Sequence, residues 1–171
     1  TFAITPSGRD YLSLREEDIV EVKMRDLSYQ GEVKPSSEMR LHREIYRNRS
    51  DVSFIIHTHQ ENGSAVAAMP SEGFVPGGDF PFLGTRVLCS EYALPGTKKF
   101  AENVVKTLNA SDGKAVLLRN HGVVCFGKSY EEVFQVARSL EEACERYLDR
   151  VSRVLASAKG KMREKGSRSE E

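Results

Sequence analysis

The chain has 171 residues, and its 25 Lys and Arg balance 25 Asp and Glu to a formal net charge of zero. That length makes one domain with a sizeable core, and the charge balance excludes the electrostatic footprint of a nucleic-acid binder. No apolar run is long enough to span a bilayer and no signal peptide is visible, so neither a membrane nor a nucleic acid is an expected partner.

Taken in order, Thr1–Thr5 reads as a strand, and Thr5-Pro6-Ser7-Gly8 closes it as a turn. The chain opens inside that strand and without Met, so an N-terminal piece is expected to be missing. Ile19–Met24 alternates as a second strand, and Asp26–Lys34 is a polar hairpin or loop. Pro35-Ser36-Ser37-Glu38 marks a helix start: a serine N-cap accepts a backbone N–H, and an acid in the first turn suits the dipole. Met39, His42, Ile45 and Tyr46 follow at helical spacing.

Ser53-Phe54-Ile55-Ile56 reads as a buried strand ending in His57-Thr58-His59. Asn62–Met69 is a short helix, and the Gly- and Pro-rich run Pro70–Gly84 is a loop. Arg86–Cys89 is a short strand, and Thr97–Leu108 is a helix with Phe100, Val104, Val105 and Leu108 on one stripe. Ala115–Leu118 is a buried strand that Asn120-His121-Gly122 interrupts and Val123–Gly127 continues. A long amphipathic helix begins near Ser129, with Val133, Val136, Ala137, Leu140, Cys144, Tyr147, Leu148 and Val151 as its apolar face. From Lys159 the chain is polar and reads as solvated and mobile. The expected organisation is one α/β layered domain over 1–156, incomplete at its N-terminus, with a polar tail over 157–171. Cys89, Cys125 and Cys144 are odd in number and far apart, so they suggest no disulfide framework and favour a reduced, cytoplasmic setting.

The chemistry centres on histidine. Residues two apart on a strand share a face, so His57 and His59 point the same way and can grip a metal ion. His121 sits at another strand end. Three neutral imidazoles leave one position of a tetrahedral zinc open, the arrangement of a catalytic site. The alternative is a pair of core or surface histidines. Glu38 is either a general base beside that metal or a carboxylate that complements the helix dipole. Ser7, Gly8, Ser36 and Ser37 suit an anion such as phosphate, or serve only as turn and cap. His42, four residues after Glu38, is a ligand, a partner of a ligand or a core residue. Tyr46, Tyr92 and Tyr147 are proton donors or structural residues.

Together these strings resemble the class II aldolase/adducin family, in its fuculose-phosphate aldolase branch. They are Ile4–Gly8, Lys34–Glu38, His42 with Ile45-Tyr46, Asp51-Val52, His57–His59, Tyr92-Ala93, Gly96-Thr97 and Asn120–Gly122. The resemblance implies a three-layer α/β domain with a central, mainly antiparallel sheet flanked by helices. It implies a homotetramer, with Zn2+ on His57, His59 and His121. It implies that Glu38 moves the proton that makes or quenches an enediolate, and that Ser7, Gly8, Ser36 and Ser37 hold the phosphate of a small sugar phosphate. The implied reaction joins or splits dihydroxyacetone phosphate and an aldehyde. The Glu at position 38 favours the aldolase branch over the 4-epimerases, which resemble it but carry Asp there. Dehydratases and decarboxylases of the same superfamily keep the Glu and the histidines. Adducin-like structural modules lose the histidines, which this chain retains.

Two departures stand out. The family's phosphate loop lies upstream of the first strand and is absent from this sequence. The branch also has a tyrosine proton donor in the segment matching Pro70–Gly84, where this chain has Phe74, Phe80 and Phe82 and no Tyr, which leaves the donor unassigned.

Overall fold

In a computed structural model, which describes residues 1–77 and 79–167 and from 159 onward the backbone alone, two apolar runs form the middle of a sheet. They are β6 (Ala115–Leu118) and β7 (Gly122–Gly127). Ahead of them come β1 (Phe2–Ile4), β2 (Val20–Val22), α1 (Met39–Asn48), β3 (Phe54–Thr58), α2 (Glu61–Ala68), β4 (Gly73–Phe74), β5 (Val87–Ser90) and α3 (Lys98–Ala110); α4 (Tyr130–Ser167) follows. The main sheet has the order β3-β7-β6-β5-β4, and β1 pairs with β2 in a separate two-stranded ribbon. Only β5 and β6 run parallel; the other neighbours in the main sheet are antiparallel. This is the mainly antiparallel three-layer architecture the resemblance implies.

Period-two alternation divides the core. Ala115, Leu117, Val123 and Cys125 face α2 and α4, where they meet Val66, Val136 and Leu140. Val116, Leu118, Val124 and Phe126 face α1 and α3, against Leu41, Ile45, Phe100 and Val104. Cover on both faces is why β6 and β7 read as unbroken apolar runs instead of alternating ones. Phe2, Ile4, Val20, Val22 and Leu27 make a smaller core under the β1–β2 ribbon. Helix starts follow their caps: the Thr97 hydroxyl accepts from Phe100 N at 3.2 Å, and Ser129 Oγ from Glu132 N at 3.3 Å.

Several expectations need correction. The apolar segment at residues 115–127 is not one interrupted strand but a hairpin, with register Leu118 opposite Gly122. Asn120 takes φ +54° there, a conformation Asn tolerates better than most residues. β3 is an edge strand rather than a buried one, and Phe54 is 43 % exposed. The Gly- and Pro-rich stretch holds β4 and buries Phe74, Phe80 and Leu83. The acid expected in the first turn of α1 stands one residue earlier, because Glu38 itself is the N-cap residue and its side chain makes no cap bond. Within the polar tail read as solvated and mobile, α4 continues past Lys159 to Ser167, and positions 168–171 lie outside the described residues. No helix among the described residues is long and apolar enough to cross a membrane.

Candidate metal centre

β3 lies antiparallel to β7, with His57 opposite Val124 and Thr58 opposite Val123. His57 Nδ1 lies 2.8 Å from the carbonyl of Val123, so the ring donates there and keeps its Nε2 lone pair free. The β6–β7 turn carries His121 back toward this strand end and brings its Nε2 to 3.1 Å from His57 Nε2. His59, one residue past the end of β3, completes the group: one ring nitrogen from each of the three lies within 4.8 Å of the others. Ligand atoms on a tetrahedral zinc stand about 3.3 Å apart. The donor set therefore fits a divalent ion in number and type, and the 3.1 Å between His57 and His121 lies near that spacing. Burial, the main cause, holds His57 down to about 4 and His42 to about 3, and lowers His121. Neutral imidazole is the form that binds metal.

Close packing brings the three histidines together. A Cβ on Gly122 would stand 2.5 Å from Thr58 O and 2.7 Å from His59 Cδ2, so only glycine lets the end of β3 approach the turn. Gly122→Ala is expected to cost about 1–3 kcal/mol, as overpacking does, and to displace His59. Thermal unfolding and a metal titration of the variant check both effects. The Phe100 and His121 rings stand nearly perpendicular, 5.5 Å between centroids.

The acid and the hydroxyls arrive from the ribbon side. Ser7 N donates to Lys34 O at 2.9 Å and Ser36 N to Thr5 O at 3.0 Å. The turn after β1 is thus laced to the segment before α1. Glu38 N donates to Ser36 Oγ at 3.2 Å, which ties the backbone at the start of α1 to that serine. Glu38 is 7 % exposed, and its Oε2 has no hydrogen-bond partner. Burial raises its pKa above the usual carboxylate range. Gly96, at φ +76°, lets the loop before α3 pass close: a Cβ there would be 3.4 Å from Ser37 O and 4.0 Å from Glu38 Oε1.

Ser7, Gly8, Ser36, Ser37, Glu38, His57, His59 and His121 all line one cavity of about 900 Å³. His42 also lines it but is not among the three clustered histidines. Of the candidate tyrosines, Tyr46 packs on Phe2 and Tyr147 on Phe74, and none of the three lines this cavity. Tyr11 and Phe134 do line it, and sequence reasoning singled out neither. Phe134 had one signal, an aromatic off the apolar stripe of α4 that stays 58 % exposed.

The family description "Class II Aldolase and Adducin N-terminal domain" matches residues 1–148. The chain belongs to this family. The 5-deoxy-D-ribulose 1-phosphate aldolase of Bacillus thuringiensis serovar kurstaki is 33 % identical over 145 residues, 85 % of this chain and 67 % of that protein. The methylthioribulose-1-phosphate dehydratase of Persephonella marina is 30 % identical over 151 residues, 82 % of this chain and 68 % of that protein. Among solved structures, an L-fuculose 1-phosphate aldolase superposes with a TM-score of 0.81 at 31 % identity, over 88 % of this chain and 70 % of the other. This class II aldolase-family chain therefore shares both sequence and fold with enzymes named for sugar phosphates.

Proposed function

We propose that the chain is a zinc-dependent aldolase with residues 1–156 as its catalytic unit. It cleaves or forms a ketose 1-phosphate from dihydroxyacetone phosphate and an aldehyde. The observation that carries this reading is the meeting of three imidazoles and a buried, unpartnered carboxylate in one cavity. When bound by His57, His59 and His121, a divalent cation would supply Lewis-acid polarisation of the substrate's carbonyl and hydroxyl oxygens. Glu38 holds or returns the proton at the carbon that becomes the hydroxymethyl group of dihydroxyacetone phosphate. Its raised pKa brings it nearer working pH, where a general base exchanges protons best. Ser7, Gly8, Ser36 and Ser37 receive the phosphate. Ile55, Ile56 and Phe134 give the cavity an apolar wall that limits water. Three free cysteines suit a reduced, cytoplasmic setting, and the reading includes a homotetramer. Burial holds the Cys125 thiol up and Cys144 at about 12, so neither is a ready nucleophile.

Metal analysis and NMR product identification on a panel of ketose 1-phosphates test the proposal. Stoichiometric zinc with dihydroxyacetone phosphate as product is the expected result. Loss of water without carbon–carbon cleavage would move the reading to a dehydratase, which the Persephonella relative favours. Absence of both metal and turnover across the panel would sink it.

A further inference from the structure

We propose that Glu141, a carboxylate on α4, is a positioning residue for the metal centre: it caps the start of α2 and thereby sets the end of β3, where His57 and His59 lie. The inference rests on the reading of the three histidines as a metal site. Helix α2 begins two residues after His59, and its N-cap residue Gln60 makes no side-chain cap bond. The first N–H groups of a helix have no partner within it. Here the partner comes from far away in the chain. Asn62 N donates to Glu141 Oε1 at 2.7 Å, Asn62 Nδ2 to the same oxygen at 3.0 Å, and Gly63 N to Oε2 at 2.9 Å. A carboxylate at a helix N-terminus also complements the dipole.

Two routes lead from this cap to the ligands. Through the chain, Gln60 Nε2 donates to Ala137 O on α4 at 3.2 Å, while Thr58 Oγ1 donates to Gln60 Oε1 at 3.2 Å. The residue between the two ligands is therefore tied to α4. Through packing, Gly63 sits so close to β7 that a Cβ would lie 2.8 Å from Val123 Cγ1. Val123 is the residue whose carbonyl orients the His57 ring. Phe134, Ala137 and Glu141 recur at helical spacing, so one stripe of α4 backs the whole centre.

Cobalt(II) titration of the purified chain, with competition by a chelator, tests the proposal. Wild type, Glu141→Gln and Glu141→Ala are compared with Glu132→Gln. Glu132 is a carboxylate on the same helix that accepts from Lys128 N at 2.6 Å, beyond the end of β7 away from His121. The Glu141 variants are expected to bind cobalt about tenfold more weakly, at the lower end of the effect of residues that orient metal ligands. Their visible cobalt spectrum should change as well. Glu132→Gln should lower the unfolding temperature and leave affinity and spectrum alone. Glu141 variants that lose stability but keep wild-type cobalt affinity and spectrum would make the cap merely structural and overturn the proposal. Should they fail to fold, Glu141→Asp takes their place, since its carboxylate stops one methylene short of Asn62 N and Gly63 N. Weaker cobalt binding supports the proposal there, and unchanged binding overturns it. A wild type that binds no cobalt overturns the metal reading itself, a separate result.

Discussion

Replacing Glu38 by Gln is expected to cut turnover by about 100- to 10,000-fold, the usual contribution of a positioned acid or base, while making the metal-free protein more stable. The carboxylate is 7 % exposed, and its Oε2 is without a partner. An unsatisfied buried group costs about 1–3 kcal/mol, and an amide of the same shape removes the charged part of that cost. The gain depends on pH. Burial raises the pKa of Glu38 in the folded protein above its unfolded value, so the folded state holds the proton to higher pH. The wild type therefore keeps full stability from this group below the ordinary glutamate value and loses it as pH rises through the raised one. Unfolding temperatures of the two proteins should converge in acid and separate toward neutral pH. A Gln variant less stable than wild type at pH 7 would contradict the burial argument, whatever its activity.

The second large effect concerns the ligands. With zinc at a hundred times its dissociation constant, the wild type should gain about 2.7 kcal/mol of stability. For a domain of this size that is about 5–10 °C in unfolding temperature. His57→Ala should lose the shift together with turnover, and its zinc affinity should fall by more than about 100-fold, beyond what residues that only orient ligands produce. The variant also loses the bond from Nδ1 to Val123 O, worth about 1 kcal/mol. The zinc-induced shift, rather than the unfolding temperature itself, is thus the measurement that decides. A chelator should bring the wild type down by the same interval, and a His57→Ala protein that keeps the shift would dismiss the three-imidazole site.

Much of the site was legible because its signals are local. Two histidines two residues apart at a strand end share a face whatever the rest of the chain does, and a serine two residues before Glu38 offers its hydroxyl to the next turn. Two apolar runs flanking an Asn-His-Gly break did not reveal a hairpin, because the reversal depends on the positive φ of Asn120 and on packing against α2, where Asn120 N donates to Ala67 O at 3.2 Å. Nor could an apolar run show that β3 lies at an edge; strand order is a property of the whole sheet. Tyr11, Phe134 and Glu141 were invisible for a similar reason. Nothing near Glu141 in sequence marks it as the cap of a helix that starts eighty positions earlier, so its role exists only in the tertiary structure. The Gly- and Pro-rich stretch misled by composition, since Phe74, Phe80 and Leu83 anchor it to the core through few residues.

The place of β3 in the sheet also bears on how long an ion would remain bound. Among the described strands β3 pairs with β7 alone, so its backbone can peel from one side while the β6–β7 hairpin stays folded. Peeling breaks the bond that aims His57 and carries His59 away with it, whereas His121 keeps its place in the hairpin. Two of the three imidazoles would leave in one local opening, which costs less than unfolding the domain. Residence time at the centre is then set by the fraying of one edge strand, and amide exchange along Phe54–Thr58 reports the same event as release of the ion.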